Sequence, residues 1–190
     1  MAKASGGGTA GSWRRGTNAV PPAASRLIEA VQSGKLAKMS NDMQNQIWDD
    51  AMQESPSLNI KDAEERYTTE QLKSLAVYHS SFYSDINDTL RGKADYNVSQ
   101  HIKTLDSMFD YTLKKSIIVY RGTEKAPTRG IDKAYQSTSL SAAKAEHFTY
   151  GGRHLHAYRL PAGTKVLYVG GSEEEVILPR GFNLAQYKIK

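Results

Sequence analysis

The chain changes character at residue 116. Before it, apolar residues recur at helical spacing; after it, short β-branched and aromatic runs alternate with Gly and Pro. Helices first and strands second argue against alternating βαβ units and for an α+β fold. Upstream, residues 23–38 and 41–54 read as two short helices. Pro22 suits the first turn of one. Met43, Ile47, Trp48, Ala51 and Met52 recur at helical spacing in the other, which Ser55-Pro56-Ser57 ends. Residues 68–91 read as one long helix. Thr68 with Gln71 is a capping-box signal, Leu72, Leu75, Ala76, Phe82, Tyr83, Ile86 and Leu90 keep the period, and Gly92 stops it. A further helix is expected over 97–113, with Ile102, Leu105, Met108 and Phe109 inward. Downstream, Ile117 to Tyr120 and Ala134 to Leu140 read as strands and Ser141 to Tyr150 as a short helix. Residues 153–160, 164–169, 175–179 and 183–189 follow as strands. Residues 1–20, with Gly6-Gly7-Gly8, Gly11 and Gly16 around a lone Trp13, read as a flexible tail, and 21–67 as a helical extension before the rest.

Composition removes several function classes. There is no Cys, hence no disulfide framework, thiol nucleophile or Cys-ligated zinc. No apolar run reaches the ~18 residues of a membrane span, and the N-terminal residues lack the apolar stretch of a secretory signal. His79, His101, His147, His154 and His156 are scattered. His154 and His156 share a strand face, but two imidazoles without a third ligand read as ordinary strand residues, so no metal is expected. The net charge of +5 could favour an acidic partner such as nucleic acid, yet no Lys/Arg stripe interleaves with aromatics, and general solubility accounts for it better.

The densest chemistry lies in Ser172-Glu173-Glu174-Glu175-Val176-Ile177-Leu178-Pro179-Arg180-Gly181. In extended backbone, residues i and i+2 share a face, so Glu173 and Glu175 are expected side by side, with Glu174 on the opposite face, exposed and dispensable. Paired carboxylates repel, a cost that chemistry or a bound cation would justify. A solvated acidic turn before an edge strand explains the same residues. Two more polar features precede it: Arg121 and Gly122 after one strand, and Ser137-Thr138-Ser139 at the end of another. Alone, each is a surface cation or a strand face. Together they suit a polyanionic ligand with a sugar: an Arg fork for phosphate, hydroxyls to orient a carboxylate, and a carboxylate to stabilise positive charge at an anomeric carbon.

The ordered set Val119-Tyr120-Arg121-Gly122, Ser137-Thr138-Ser139-Leu140 and Glu173 to Gly181 resembles the mono-ADP-ribosyltransferases of the Arg / Ser-Thr-Ser / Glu-x-Glu class. That class includes actin-modifying binary toxins, injected bacterial effectors and phage enzymes. The helix carrying Tyr78, Tyr83 and Asn87 looks like the one before that family's catalytic core, so the resemblance covers 68–190. It implies a mainly antiparallel, two-sheet NAD-binding core after N-terminal helices. It also implies NAD as substrate, no metal, an arginine of a host protein as acceptor, a monomer, and action in the cytoplasm of a host or target cell after delivery by injection. By resemblance, Arg121 would bind the NAD phosphates, with Gly122 beside it. Ser137 would orient Glu175, while Thr138 and Ser139 would shape the strand end and nicotinamide pocket. Glu175 would bond the ribose 2′-hydroxyl and stabilise the oxocarbenium-like transition state. Glu173 would position or deprotonate the acceptor, a task that suits a guanidinium, which is always charged in water. Phe148 would lie against nicotinamide, and Tyr78, Tyr83 and Asn87 would face the dinucleotide; helix-core packing is the other reading for the two tyrosines.

Two departures from the family pattern stand out. Only Gly170-Gly171-Ser172 precede Glu173, where relatives often carry a longer loop with an aromatic, and the interval from Arg121 to Ser137 is short. Other readings stay open: NAD hydrolysis with water as acceptor, ADP-ribosylation of RNA, a module that binds NAD without chemistry, or a nucleic-acid-binding or phage-head-associated protein.

Overall fold

A computed structural model of the protein describes residues 19–56, 58, 60–61, 63–127 and 129–190. The expected tail lies outside the described residues except for its last two, and so does Ser57 of the expected helix stop.

Helix α1 spans Pro22–Gln32 with Pro22 in its first turn and no local side-chain cap. Its cap comes from Glu54, whose Oε2 accepts the N–H groups of Ala23 at 2.7 Å and Ala24 at 3.1 Å. A carboxylate there also meets the positive end of the helix dipole. Glu54 follows α2 (Asn41–Gln53), so the start of one helix is pinned to the end of the other. Ala51 of α2 is buried, Ile47 and Trp48 pack against the core, and Met43 and Met52 stay exposed. After the single turn α3 (Ala63–Arg66), α4 (Thr69–Tyr78) opens on the expected capping box. Thr68 Oγ1 accepts the Gln71 N–H at 3.3 Å and Gln71 Oε1 accepts the Thr68 N–H at 3.0 Å, an arrangement that contributes about 1 kcal/mol.

The expected single helix over 68–91 is two. After α4 the chain turns through His79–Phe82, and α5 runs Tyr83–Leu90. Ser80 makes the break: its hydroxyl donates to the Val77 carbonyl at 2.6 Å and accepts the Phe82 N–H at 3.3 Å. A serine bonding its neighbouring backbone competes with helix propagation. The apolar period carries across because Leu75, Tyr78 and Ile86 enter the same core cluster. Likewise α6 (Ser99–Asp106) ends short of residue 113: just past its end, the Ser107 hydroxyl donates to the Thr104 carbonyl at 2.6 Å. Tyr111–Thr112 then forms a two-residue strand, β1.

The remaining elements are β2 (Ile117–Thr123), β3 (Gln136–Ser139), α7 (Ala142–Glu146), β4 (His154–Leu160), β5 (Lys165–Gly170) and β6 (Glu175–Leu178). The strand expected over 183–189 is instead a 3₁₀ turn, Leu184–Tyr187, with one isolated bridge from Lys188 to Tyr158. At the edge of β4, Gln32 donates to the Leu155 carbonyl at 2.7 Å and the Ile189 N–H donates to the Ala157 carbonyl at 2.9 Å.

All pairings are antiparallel, in the order β1-β5-β6-β3-β2-β4. The expected two-sheet character arises inside this one order. Strands β2 and β3 pair only at Tyr120–Ser139, which leaves β2–β4 and β1-β5-β6-β3 as two halves joined at a single pair. Their inner faces share a core: Val119, Tyr158 and Leu160 from one half, Val166, Tyr168, Val176 and Leu178 from the other. Outside β2–β4, Tyr120, Leu155 and Ala157 pack on α7 and on Leu27 and Val31 of α1. Leu27 is fully buried, and truncating such a leucine costs about 3 kcal/mol. Outside the other half, Leu167 and Ile177 pack on α4, α5 and α6. Helix α7 presses so close to β2 that a β-carbon on Gly122 would sit 1.9 Å from the Ala145 carbonyl oxygen. That close approach requires glycine.

Candidate active site

The split between β2 and β3 positions the polar groups. Arg121, near the end of β2, crosses it and donates from its guanidinium to the Ser137 carbonyl. Behind it lies buried Asp132, gripped in a fork by Arg91 through Nε at 3.1 Å and a terminal nitrogen at 2.9 Å, with the Ala134 N–H at 3.0 Å. Burial opposes charge on Asp132, but the Arg91 bond, the Ala134 N–H and the charges of Arg91 and Arg121 outweigh it, and its carboxyl lies below the usual range.

The Ser-Thr-Ser run holds the acidic turn in place. Thr138 Oγ1 donates to the Val176 carbonyl at 2.6 Å, and Ser139 Oγ donates to the Glu173 carbonyl at 2.7 Å while accepting the Ser141 N–H at 3.0 Å. Both side chains are buried and satisfied by backbone. Ser137 is half-buried, and its hydroxyl meets that of Tyr78 at 3.2 Å.

Glu173 and Glu175 do not share a strand face. Gly170 and Gly171 take φ of 72° and 64° and end β5. Gly171–Glu173 is a 3₁₀ turn, Glu174 is left-handed at φ 49°, and only Glu175 lies in β6, opposite Ser139. Two positive-φ glycines and a left-handed residue reverse the chain before extension begins. Glu173 is exposed, whereas Glu175 is only 6% exposed. Nor is Glu174 exposed: it is half-buried, its Oε2 is sealed in without a hydrogen bond, and its carbonyl accepts the Leu140 N–H at 3.1 Å. Lys144 closes the turn by donating to the Ser172 carbonyl.

The residue that sequence reasoning passed over is His79. Its Nε2 meets Glu175 Oε2 at 2.6 Å. Burial pulls its pKa down, but the hydrogen bond and charge of Glu175, with Glu173 adding, outweigh it and hold the imidazole above its usual value. A signal was available: His79 directly follows Tyr78 at the end of α4, where a cation also suits the helix dipole.

Tyr78 is buried in the core, with Tyr83 and Tyr135 packed edge-on against it at 5.1 and 5.7 Å between ring centres. Burial, then the neighbouring Tyr83, push its hydroxyl well above the usual phenol value, so it stays protonated. Tyr83 is half-buried at the start of α5. Asn87 is fully buried; its Oδ1 accepts the Tyr135 N–H at 3.2 Å, and its Nδ2 finds no hydrogen bond of good geometry. Phe148 is exposed in the turn after α7. Thus Tyr78, Ser137, His79, Glu175 and Glu173 converge, with Arg121 joined to them through the Ser137 carbonyl. Among the described residues, no cluster of His, Asp and Glu is placed to hold a metal ion, and no helix is long and apolar enough to cross a membrane.

The family model of the ADP-ribosyltransferase exoenzymes matches residues 54–130, which carry α4, α5 and Arg121. The fold is similar to that of Plx2a, an ADP-ribosyltransferase toxin from Paenibacillus larvae, at 21% identity and TM-score 0.51, over 62% of this chain and 76% of that one. The chain shares the fold of these ADP-ribosyltransferase toxins. Exoenzyme S from Pseudomonas aeruginosa, solved with human 14-3-3 protein beta and carba-NAD, is similar at 17% identity and TM-score 0.50, over 81% of this chain and 77% of that one. The enzymatic component C2-I of the C2 toxin from Clostridium botulinum is 20% identical with TM-score 0.49 over 62% of this chain; the matched part spans 38% of that longer chain. No curated protein matches the sequence.

Proposed function

We propose that this protein cleaves NAD at the bond between nicotinamide and ribose and transfers the ADP-ribose to an arginine side chain of a macromolecule, acting inside a host or target cell. The observation that carries this reading is a buried carboxylate, Glu175, at a split in the sheet that Arg121 crosses. Residues 68–190 are the catalytic core in this reading, braced by α1 and α2. The Arg121 guanidinium takes the pyrophosphate. Glu175 accepts the ribose 2′-hydroxyl and stabilises the positive charge that develops at the anomeric carbon as nicotinamide departs. Tyr83 and Phe148 line the approach of the dinucleotide, while Tyr78, Asn87, Thr138 and Ser139 hold the walls. Glu173, exposed on the turn, meets the incoming guanidinium and takes a proton from it as the new N-glycosidic bond forms.

A second reading, transfer to water, is favoured by one observation: the turn before Glu175 is a single 3₁₀ turn without an aromatic, so little surface there grips a protein acceptor. Radiolabelled NAD with a cell lysate separates the two. Labelled bands that disappear with Glu175→Gln support transfer; label that arginine-directed chemistry does not release overturns the acceptor. Nicotinamide release without labelled bands favours the hydrolase, and label that ribonuclease removes favours RNA. Glu175→Gln is expected to lower nicotinamide release about a thousandfold with an unchanged circular-dichroism spectrum. Near-normal release would remove Glu175 from the mechanism.

A further inference from the structure

The resemblance gives Ser137 the task of orienting Glu175, yet the Ser137 hydroxyl bonds Tyr78 and its carbonyl receives Arg121. Among the described residues, the one side-chain hydrogen bond on Glu175 comes from His79, at 2.6 Å to Oε2. The Glu175 side chain is 8% exposed, and that of His79 38%. An ionised carboxylate only accepts, so Nε2 must carry the proton. With Oε2 taken, Oε1 carries no hydrogen bond among the described residues and is the atom left for a ligand. A carboxylate that must meet a sugar hydroxyl loses effect if it rotates, and a buried one rotates unless something holds it.

We propose that His79 is a positioning residue: its Nε2–H holds Glu175 Oε2 and thereby presents Oε1 to the nicotinamide ribose. This rests on the NAD-cleaving reading above. The charged and titratable groups around the ring are Tyr78 beside it on α4, Glu173 from the turn and Glu175 from β6. Both carboxylates favour the imidazolium, which keeps a proton on Nε2 whichever tautomer the free ring would choose. The grip weakens as pH rises through the raised pKa of His79, because the neutral ring can place its single proton on Nδ1 instead.

The test compares wild type with His79→Leu and His79→Gln, since a Gln amide can place a donor near the position of Nε2. Nicotinamide release is measured from pH 5.5 to 9, with ring-nitrogen NMR of His79 in wild type and in Glu175→Gln. His79→Leu is expected to lower kcat about tenfold to a hundredfold while KM for NAD changes little. His79→Gln is expected to recover most of the rate and to lose the decline at high pH. The His79 resonance should titrate above the ordinary imidazole range, and drop towards it in Glu175→Gln. A purely structural histidine would lower the melting temperature of both variants without moving the pH profile. An active wild type with His79→Leu equally fast, or a His79 titration indifferent to Glu175→Gln, overturns the proposal. A wild type that releases no nicotinamide at all overturns the NAD-cleaving reading instead, and the NMR titration then decides whether the pair exists.

Discussion

Strand β2 has two neighbours and meets them differently. With β4 it pairs at seven consecutive positions, Ile117–Leu160 through Thr123–His154; with β3 it pairs at one, Tyr120–Ser139. The zipped side has α1, α2 and α7 on its back and apolar residues on both faces. The open side gathers Arg121, Ser137 and the acidic turn. A sheet satisfies its own backbone only where it is closed. Opening one ladder frees carbonyls such as that of Ser137 and gives a guanidinium somewhere to bind. The rigid pairing on one side of β2 is what allows the gap on the other to hold its shape.

Substitutions can test this division. Arg121→Ala, on the open side, is expected to raise KM for NAD about a hundredfold with little change in melting temperature; a large thermal loss would make Arg121 a structural clamp. Asp132→Asn, behind the gap, should reduce stability by about 2 kcal/mol in chemical denaturation, less than a fully buried pair because Arg91 is partly exposed. The sign with pH is definite. Asp132 has a lowered folded pKa, so its contribution is present above the unfolded carboxylate value and disappears as pH falls through the folded one. The wild type and Asp132→Asn should therefore converge in acid, and a gap that widens there would contradict the assignment. On the zipped side, Gly122→Ala forces α7 off β2 and should cost about 1–2 kcal/mol while leaving KM for NAD nearly unchanged. An equal effect on both would show that the two sides of β2 do not act separately. The smallest change is expected from Glu174→Gly, which relieves a left-handed residue and removes a buried carboxylate oxygen lacking a partner. It should stabilise by about 1 kcal/mol.

The motif-bearing strands were legible because their signals are local. The β-branched run Ile117–Val119 lies in β2, the Ser-Thr-Ser run in β3, and Val176 to Leu178 in β6. Thr68 and Gln71 announced the start of α4 in the same way. What escaped were effects that depend on one side chain turning back on its own backbone or on a distant partner. The Ser80 hydroxyl breaks a helix whose apolar period runs on unbroken. Ser107 shortens another and leaves Tyr111 and Thr112 to pair with β5. Gly170 and Gly171 were visible as a turn, but not that the turn would take Glu173 with it and leave Glu175 alone on the strand. His79 was one of five scattered histidines until folding set it against a residue 96 positions away. No spacing rule reaches that far.

The sheet also has two ends, and each is partly covered. Strand β1 offers only two residues, and the outer rim of β4 is occupied by Gln32 at Leu155 and by Ile189 at Ala157. Exposed strand rims are where separate molecules zip together into aggregates. A sheet already parted in the middle has particular need of covered outer rims. The gap between β2 and β3 is crossed by the Arg121 guanidinium rather than left as bare backbone that another chain could join.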